Sequence, residues 1–188
     1  EMEIHTAVLE NRYLKAVFLP EFGGRLWELW DKYTGRNLLY TNDILQFSNL
    51  AVRNAWFSGG VEWNIGIIGD NPFTTEPLYT AQTVNEDGEP VLRMYEYERI
   101  RKVTYQMDFW LEKDSSFLNC RMRIVNEGKE VVPMYWWSNM AVPEYKNGRV
   151  VVPAVQAFTS RGTQVTKVDL PMVENIDISD YTAIKKSV

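Results

Sequence analysis

The chain has 188 residues, 45% of them apolar and 24% charged, with 20 Lys and Arg against 25 Asp and Glu and a formal net charge of −5. That composition is globular, excludes disordered and fibrous classes, and lacks the basic surplus of proteins that bind nucleic acid or anionic membranes. One Cys and one His leave no internal disulfide and no His-based metal cluster, whereas seven Trp within 13% aromatic residues call for an explanation.

Taken in order, the segments read as short strands and turns. His5 lies in an alternating, edge-like stretch and reads as a surface residue. Tyr13 to Phe18 is an apolar run, and Pro20-Glu21-Phe22-Gly23-Gly24 a turn or bulge signal. Arg25 to Asp31 reads as a strand, turned by Lys32-Tyr33-Thr34-Gly35 into Asn37 to Tyr40. The stretch from Asn54 to Asn64 reads as a Gly-rich loop whose Gly59-Gly60 pair turns the backbone and presents Glu62-Trp63-Asn64 together. Lys102 to Glu112 alternates with Val103, Tyr105, Met107, Phe109 and Leu111 on one face. Phe117 to Val125 alternates again, with Leu118, Cys120, Met122 and Ile124 expected to face the core, which makes Cys120 a buried hydrophobe. Val131 to Ser138, Arg149 to Val152 and Gln164 to Val168 complete the expected strands. No stretch of ten residues has helical periodicity, so the expectation is an antiparallel all-β sandwich.

The aromatic excess falls in patterned places. Trp110 interrupts the polar face of its strand, between Asp108 and Glu112, where it is either covered or a stacking platform. Trp56 and Trp63 sit among amides, glycines and the carboxylates Glu62 and Asp70. Trp136 and Trp137 are adjacent, so in a strand one must face away from the core. Sugar rings stack their C–H faces on such rings while amides, carboxylates and guanidinium groups take their hydroxyls. The expected cleft is Arg53, Trp56, Glu62, Trp63, Asn64, Asp70, Trp136, Trp137 and Asn139, with Arg53 suited to an acidic sugar. Glu62 and Asp70, with Glu144 a further carboxylate, are candidate acid–base groups if held at glycosidase-like separation. No metal site or cofactor is expected. No basic-then-apolar leader opens the sequence and no apolar run approaches the roughly 20 residues of a membrane helix, which leaves the compartment open.

Several motifs resemble a known group. Leu19-Pro20-Glu21-Phe22-Gly23-Gly24-Arg25-Leu26, with Asp31-Lys32-Tyr33-Thr34-Gly35-Arg36-Asn37-Leu38-Leu39-Tyr40, resembles the opening strands of galactose-mutarotase-like domains. Ser58-Gly59-Gly60-Val61-Glu62-Trp63-Asn64 and Tyr135-Trp136-Trp137-Ser138-Asn139-Met140-Ala141-Val142 are similar to the uncharacterised bacterial domain of this superfamily that often precedes tetratricopeptide repeats. The resemblance spans residues 10 to 185. It implies a β-supersandwich with a carbohydrate-facing surface, of which residues 1–188 would be a single sandwich domain forming an incomplete, N-terminal part of a larger fold. Aldose epimerases of this superfamily use His as acid in a strand resembling Met134 to Ala141, where this sequence has Trp136, Trp137, Ser138 and Asn139. Where the related domain tends to carry a His after Gly69, this sequence has Asp70. The expected function is therefore carbohydrate binding or processing, with an epimerase or glycosidase-like enzyme as one alternative. The other is a scaffold domain that self-associates or docks to further domains of a longer polypeptide, with neither nucleic acid nor membrane as a partner.

Overall fold

The computed structural model describes residues 3–47, 57–65, 71–182 and 184. The chain divides into two compact units, Glu1–Pro143 and Glu144–Val188. Among the described residues every regular element is a strand, apart from a 3-10 turn at Pro72–Thr75. The fold is all-β and antiparallel, as expected.

The first unit contains β1 (Ala7–Glu10), β2 (Leu14–Leu19), β3 (Arg25–Asp31), β4 (Arg36–Asn37), β5 (Val61–Ile65), β6 (Tyr79–Val84), β7 (Pro90–Glu98), β8 (Val103–Leu111), β9 (Leu118–Val125) and β10 (Trp136–Met140). One sheet has the order β1-β2-β3-β5-β10, with β4 paired to β3, and the other the order β6-β7-β8-β9. Their inner faces close on one core. Ala16, Phe18, Leu26, Val61 and Ile65 of the first sheet meet Leu92, Met94, Val103, Tyr105, Met107 and Phe109 of the second, and the Phe18 and Phe109 rings lie 4.8 Å apart. This is the two-layer packing that alternating faces require.

A bulge lies between β2 and β3. Val17 pairs with Glu28 and Phe18 with Leu26, so Trp27 is an extra residue in its strand. Leu26 and Leu29 consequently both reach the core although they are three positions apart, an odd spacing that would put them on opposite faces of a regular strand.

β5 differs from the expectation of a Gly-rich loop. Gly59 and Gly60 hold φ of 108° and 67°, and the strand begins straight after them. A Cβ on Gly60 would stand 2.3 Å from the Leu26 carbonyl oxygen, so only glycine lets the chain enter beside β3.

Cys120 also differs. Paired with the buried Phe109, it lies on the inward side of β9, yet the residue is exposed. β9 is the last strand of its sheet, so its inner row is only partly covered: Leu118, Met122 and Ile124 pack against the core while Cys120 does not. The strand expected from Val131 begins only at Trp136, since Pro133 has no N–H for a ladder. Arg149 to Val152 is not a strand; Val150 N instead donates to Ser179 O at 2.9 Å.

The second unit is built on a hairpin of β11 (Gln156–Arg161) and β12 (Gln164–Asp169), followed by the short pair β13 (Met172–Val173) and β14 (Ile176–Asp177). Arg149 Nη1 donates to Asp177 Oδ2 at 2.5 Å and to Ser179 Oγ at 2.9 Å, tying the start of the unit to its last strand.

Candidate functional site: the outer face of the first sheet

Residues directly opposite in an antiparallel pair share a face, and the β5–β10 register therefore sorts the expected site residues. Trp63 opposes Ser138 and Trp136 opposes Ile65; Asn64 opposes Trp137 and Glu62 opposes Asn139. Val61 and Ile65 belong to the core, so Trp63 and Trp136 turn inward with them. The Trp63 ring packs 5.2 Å from Phe109 while its Nε1 donates to Gly24 O at 3.0 Å. Trp136 packs against the same core. Glu62, Asn64, Trp137 and Asn139 share the outer face.

The floor of that face is a buried polar network. Arg25 is 3% exposed and Glu62 2%, with Nη2 and Oε2 3.5 Å apart. Arg25 Nη1 also donates to Phe57 O at 2.7 Å and Gly59 O at 3.0 Å, and its guanidinium lies 3.7 Å over the Phe57 ring. Burial pushes the Arg25 guanidinium down to about 10, against the opposing pull of Glu62; it remains a cation at neutral pH. Asn64 Nδ2 donates to Glu62 Oε1, and Asn64 Oδ1 accepts from Asn71 N at 2.9 Å. A small apolar cluster of Leu19, Phe22 and Phe57, joined by Trp27, packs beside the network.

Above this floor Trp137 is half-buried and meets Tyr135 edge-on, with centroids 5.0 Å apart and planes at 69°. Asn139 is exposed. The arrangement offers two rings, an amide and a rigid base, while Glu62 is committed to Arg25 and Asn64. Arg53, Trp56 and Asp70 lie outside the described residues. Glu144 is exposed and falls in the second unit.

Two participants escaped the sequence reading as site residues. Arg25 was visible only as part of the Gly-Gly-Arg motif, because its partnership with Glu62 spans 37 residues. Tyr135 carried a signal, lying two positions before Trp137 and thus on the same face of an extended chain. Among the described residues no group of three or more His, Cys, Asp or Glu could hold a metal ion, and no helix is long and apolar enough to cross a membrane.

A sequence profile described as "Domain of unknown function (DUF5107)" matches residues 2–186. The fold is similar to a crystal structure of a TPR-domain containing protein from Parabacteroides distasonis, with a TM-score of 0.72 at 22% identity over 93% of this chain. The match spans 30% of that protein's chain.

Proposed function

We propose, for a chain that belongs to the DUF5107 family, that it binds carbohydrate on the outer face of its first sheet. The observation that carries this reading is the placement of Trp137, Tyr135 and Asn139 over the buried Arg25–Glu62–Asn64 network. A half-buried indole and an exposed phenol ring beside an amide supply what a sugar needs, stacking for its C–H face and hydrogen bonds for its hydroxyls. The floor is held by charge-assisted and amide hydrogen bonds, so the platform is organised before a ligand arrives. The two-layer antiparallel architecture supports the galactose-mutarotase-like resemblance, and with it the same ligand class. Binding is favoured over turnover because the Glu62 carboxylate is 2% exposed and paired.

A glycan array followed by isothermal titration tests this. The expected result is a neutral sugar or oligosaccharide that shifts Trp fluorescence and binds at least about tenfold more weakly to W137A, the loss of one stacking contact. No response to any glycan overturns it.

A second reading, docking to other domains, is favoured by the exposed apolar side chains Val131, Met134, Met140 and Val142 around β10. The likeness to a TPR-domain containing protein, of whose chain the match spans 30%, is in keeping with it. Self-association in light scattering, with no glycan response, would replace the first reading by this one.

A further inference from the structure

The outer face of the second sheet carries chemistry that the first site does not use. Cross-strand pairing sets it out in rows. Val91, Trp110 and Asn119 form one; Ala81, Arg93, Asp108 and Arg121 the next; Tyr79, Tyr95, Gln106 and Arg123 the third; Tyr97, Thr104 and Val125 the last. On the spacings of a β-sheet this is a surface about 15 Å across the strands and about 20 Å along them.

Its charge runs against that of the chain. Asp108 is 1% exposed and wholly engaged, receiving Arg93 Nε at 2.7 Å, Arg93 Nη2 at 2.9 Å, Arg121 Nη2 at 3.1 Å and Gln106 Nε2 at 3.0 Å. It neutralises one of the two arginines it orients. Arg123, exposed and one row along, makes no ion pair among the described residues. At the far end Glu112 lies beside Asn119, whose Nδ2 is 3.4 Å from it, and the Glu89 carboxylate there receives Asn85 Nδ2 and Lys113 N. The half of the face around Arg121, Arg123 and Gln106 is therefore cationic on a protein of net charge −5.

Its aromatic content is equally out of place for a solvated sheet. Tyr79, Tyr95 and Tyr97 are exposed and Trp110 is half-buried. Tyr79 and Tyr95 stack with centroids 5.4 Å apart and planes at 21°. Such a face exposes ring surface that monomeric proteins normally cover.

The geometry points to a second carbohydrate site on this face, for an acidic oligosaccharide whose carboxylates pair with Arg121 and Arg123 and whose rings lie against Trp110 and the Tyr79–Tyr95 stack. A uronate chain fits better than an acidic peptide because its anionic groups come with apolar ring faces, matching guanidinium and aromatic groups set in neighbouring rows. Rigid guanidinium forks suit planar carboxylates, and Asp108 fixes one of them in advance.

Tri-galacturonate titrated into the full chain at low ionic strength tests this, beside its methyl-esterified neutral form and hexaglutamate. The expected result is binding of the uronate alone, weakened by salt and about tenfold weaker in R123Q, the loss of one charge-assisted contact. W110A weakens it as well, and W137A on the other sheet leaves it unchanged. Arg123 is exposed, so R123Q retains the fold, and circular dichroism checks both variants. Absence of uronate binding overturns the proposal. So does hexaglutamate binding as tightly as tri-galacturonate, or an affinity indifferent to R123Q.

Discussion

Glu62 illustrates how one side chain is fixed by the charges around it. Removing its carboxylate leaves Arg25 as a buried cation with two carbonyls and a ring for company. Breaking one side of a pair this deep costs far more than the pair itself contributes. Glu62→Ala is therefore expected to lower unfolding free energy by about 3–5 kcal/mol, measured by urea denaturation, with E62Q losing less because its amide still bonds Asn64. A loss under about 1 kcal/mol would show that Phe57 O and Gly59 O satisfy Arg25 unaided. The sequence displayed Glu62 beside Trp63 and Asn64 and invited their grouping in one cleft. Alternation instead sends Trp63 to the core and leaves Glu62 and Asn64 outside. The pattern was present in Val61-Glu62-Trp63-Asn64-Ile65, but two glycines ahead of it argued for a loop, and the close approach to Leu26 that requires Gly60 is a tertiary fact.

Among the elements, β7, β8 and β9 are tied on their outer face by the Arg93–Asp108–Arg121 ladder. Burial alone would raise the Asp108 carboxyl, but hydrogen bonds from Arg93, Arg121 and Gln106 outweigh it and hold the group below the usual carboxylate range. A carboxyl whose folded value lies below its unfolded value of about 3.9 contributes stability that is complete above that range. The contribution is lost as pH falls through the folded value. Urea midpoints for the protein should thus drop between pH 6 and pH 3, and D108N should drop less over the same interval; equal slopes would refute the assignment. The β8–β9 hairpin was legible from alternation alone, including Trp110 on the polar side. The exposure of Cys120 was not, since alternation gives the face of a side chain and not whether a neighbour covers it.

At the scale of the whole molecule, the core residues named above, among those described, all precede Pro143. A protein ending at Pro143 should keep the strand signature in circular dichroism and one cooperative thermal transition. A broad or absent transition would mean that the first unit relies on the second. The all-β class was legible because period-two patterns recur through the chain. The division at Pro143–Glu144 was not, because no linker-like composition marks it.

The bulge at Trp27 has a consequence for the aromatic excess. Each residue added to or removed from a strand inverts the side on which all later residues emerge. With Trp27 set aside as the surplus position, the frame restarts at Glu28, delivering Leu29 opposite Ala16 and Trp30 opposite Lys15. Without that restart Leu29 would fall opposite Lys15 among the solvated side chains, and the Glu28 carboxylate would be driven opposite Ala16 into the core. One unpaired residue thus acts as a phase shifter, and through it the backbone of β3 decides that Leu29 is spent on the interior while Trp30 remains at the surface.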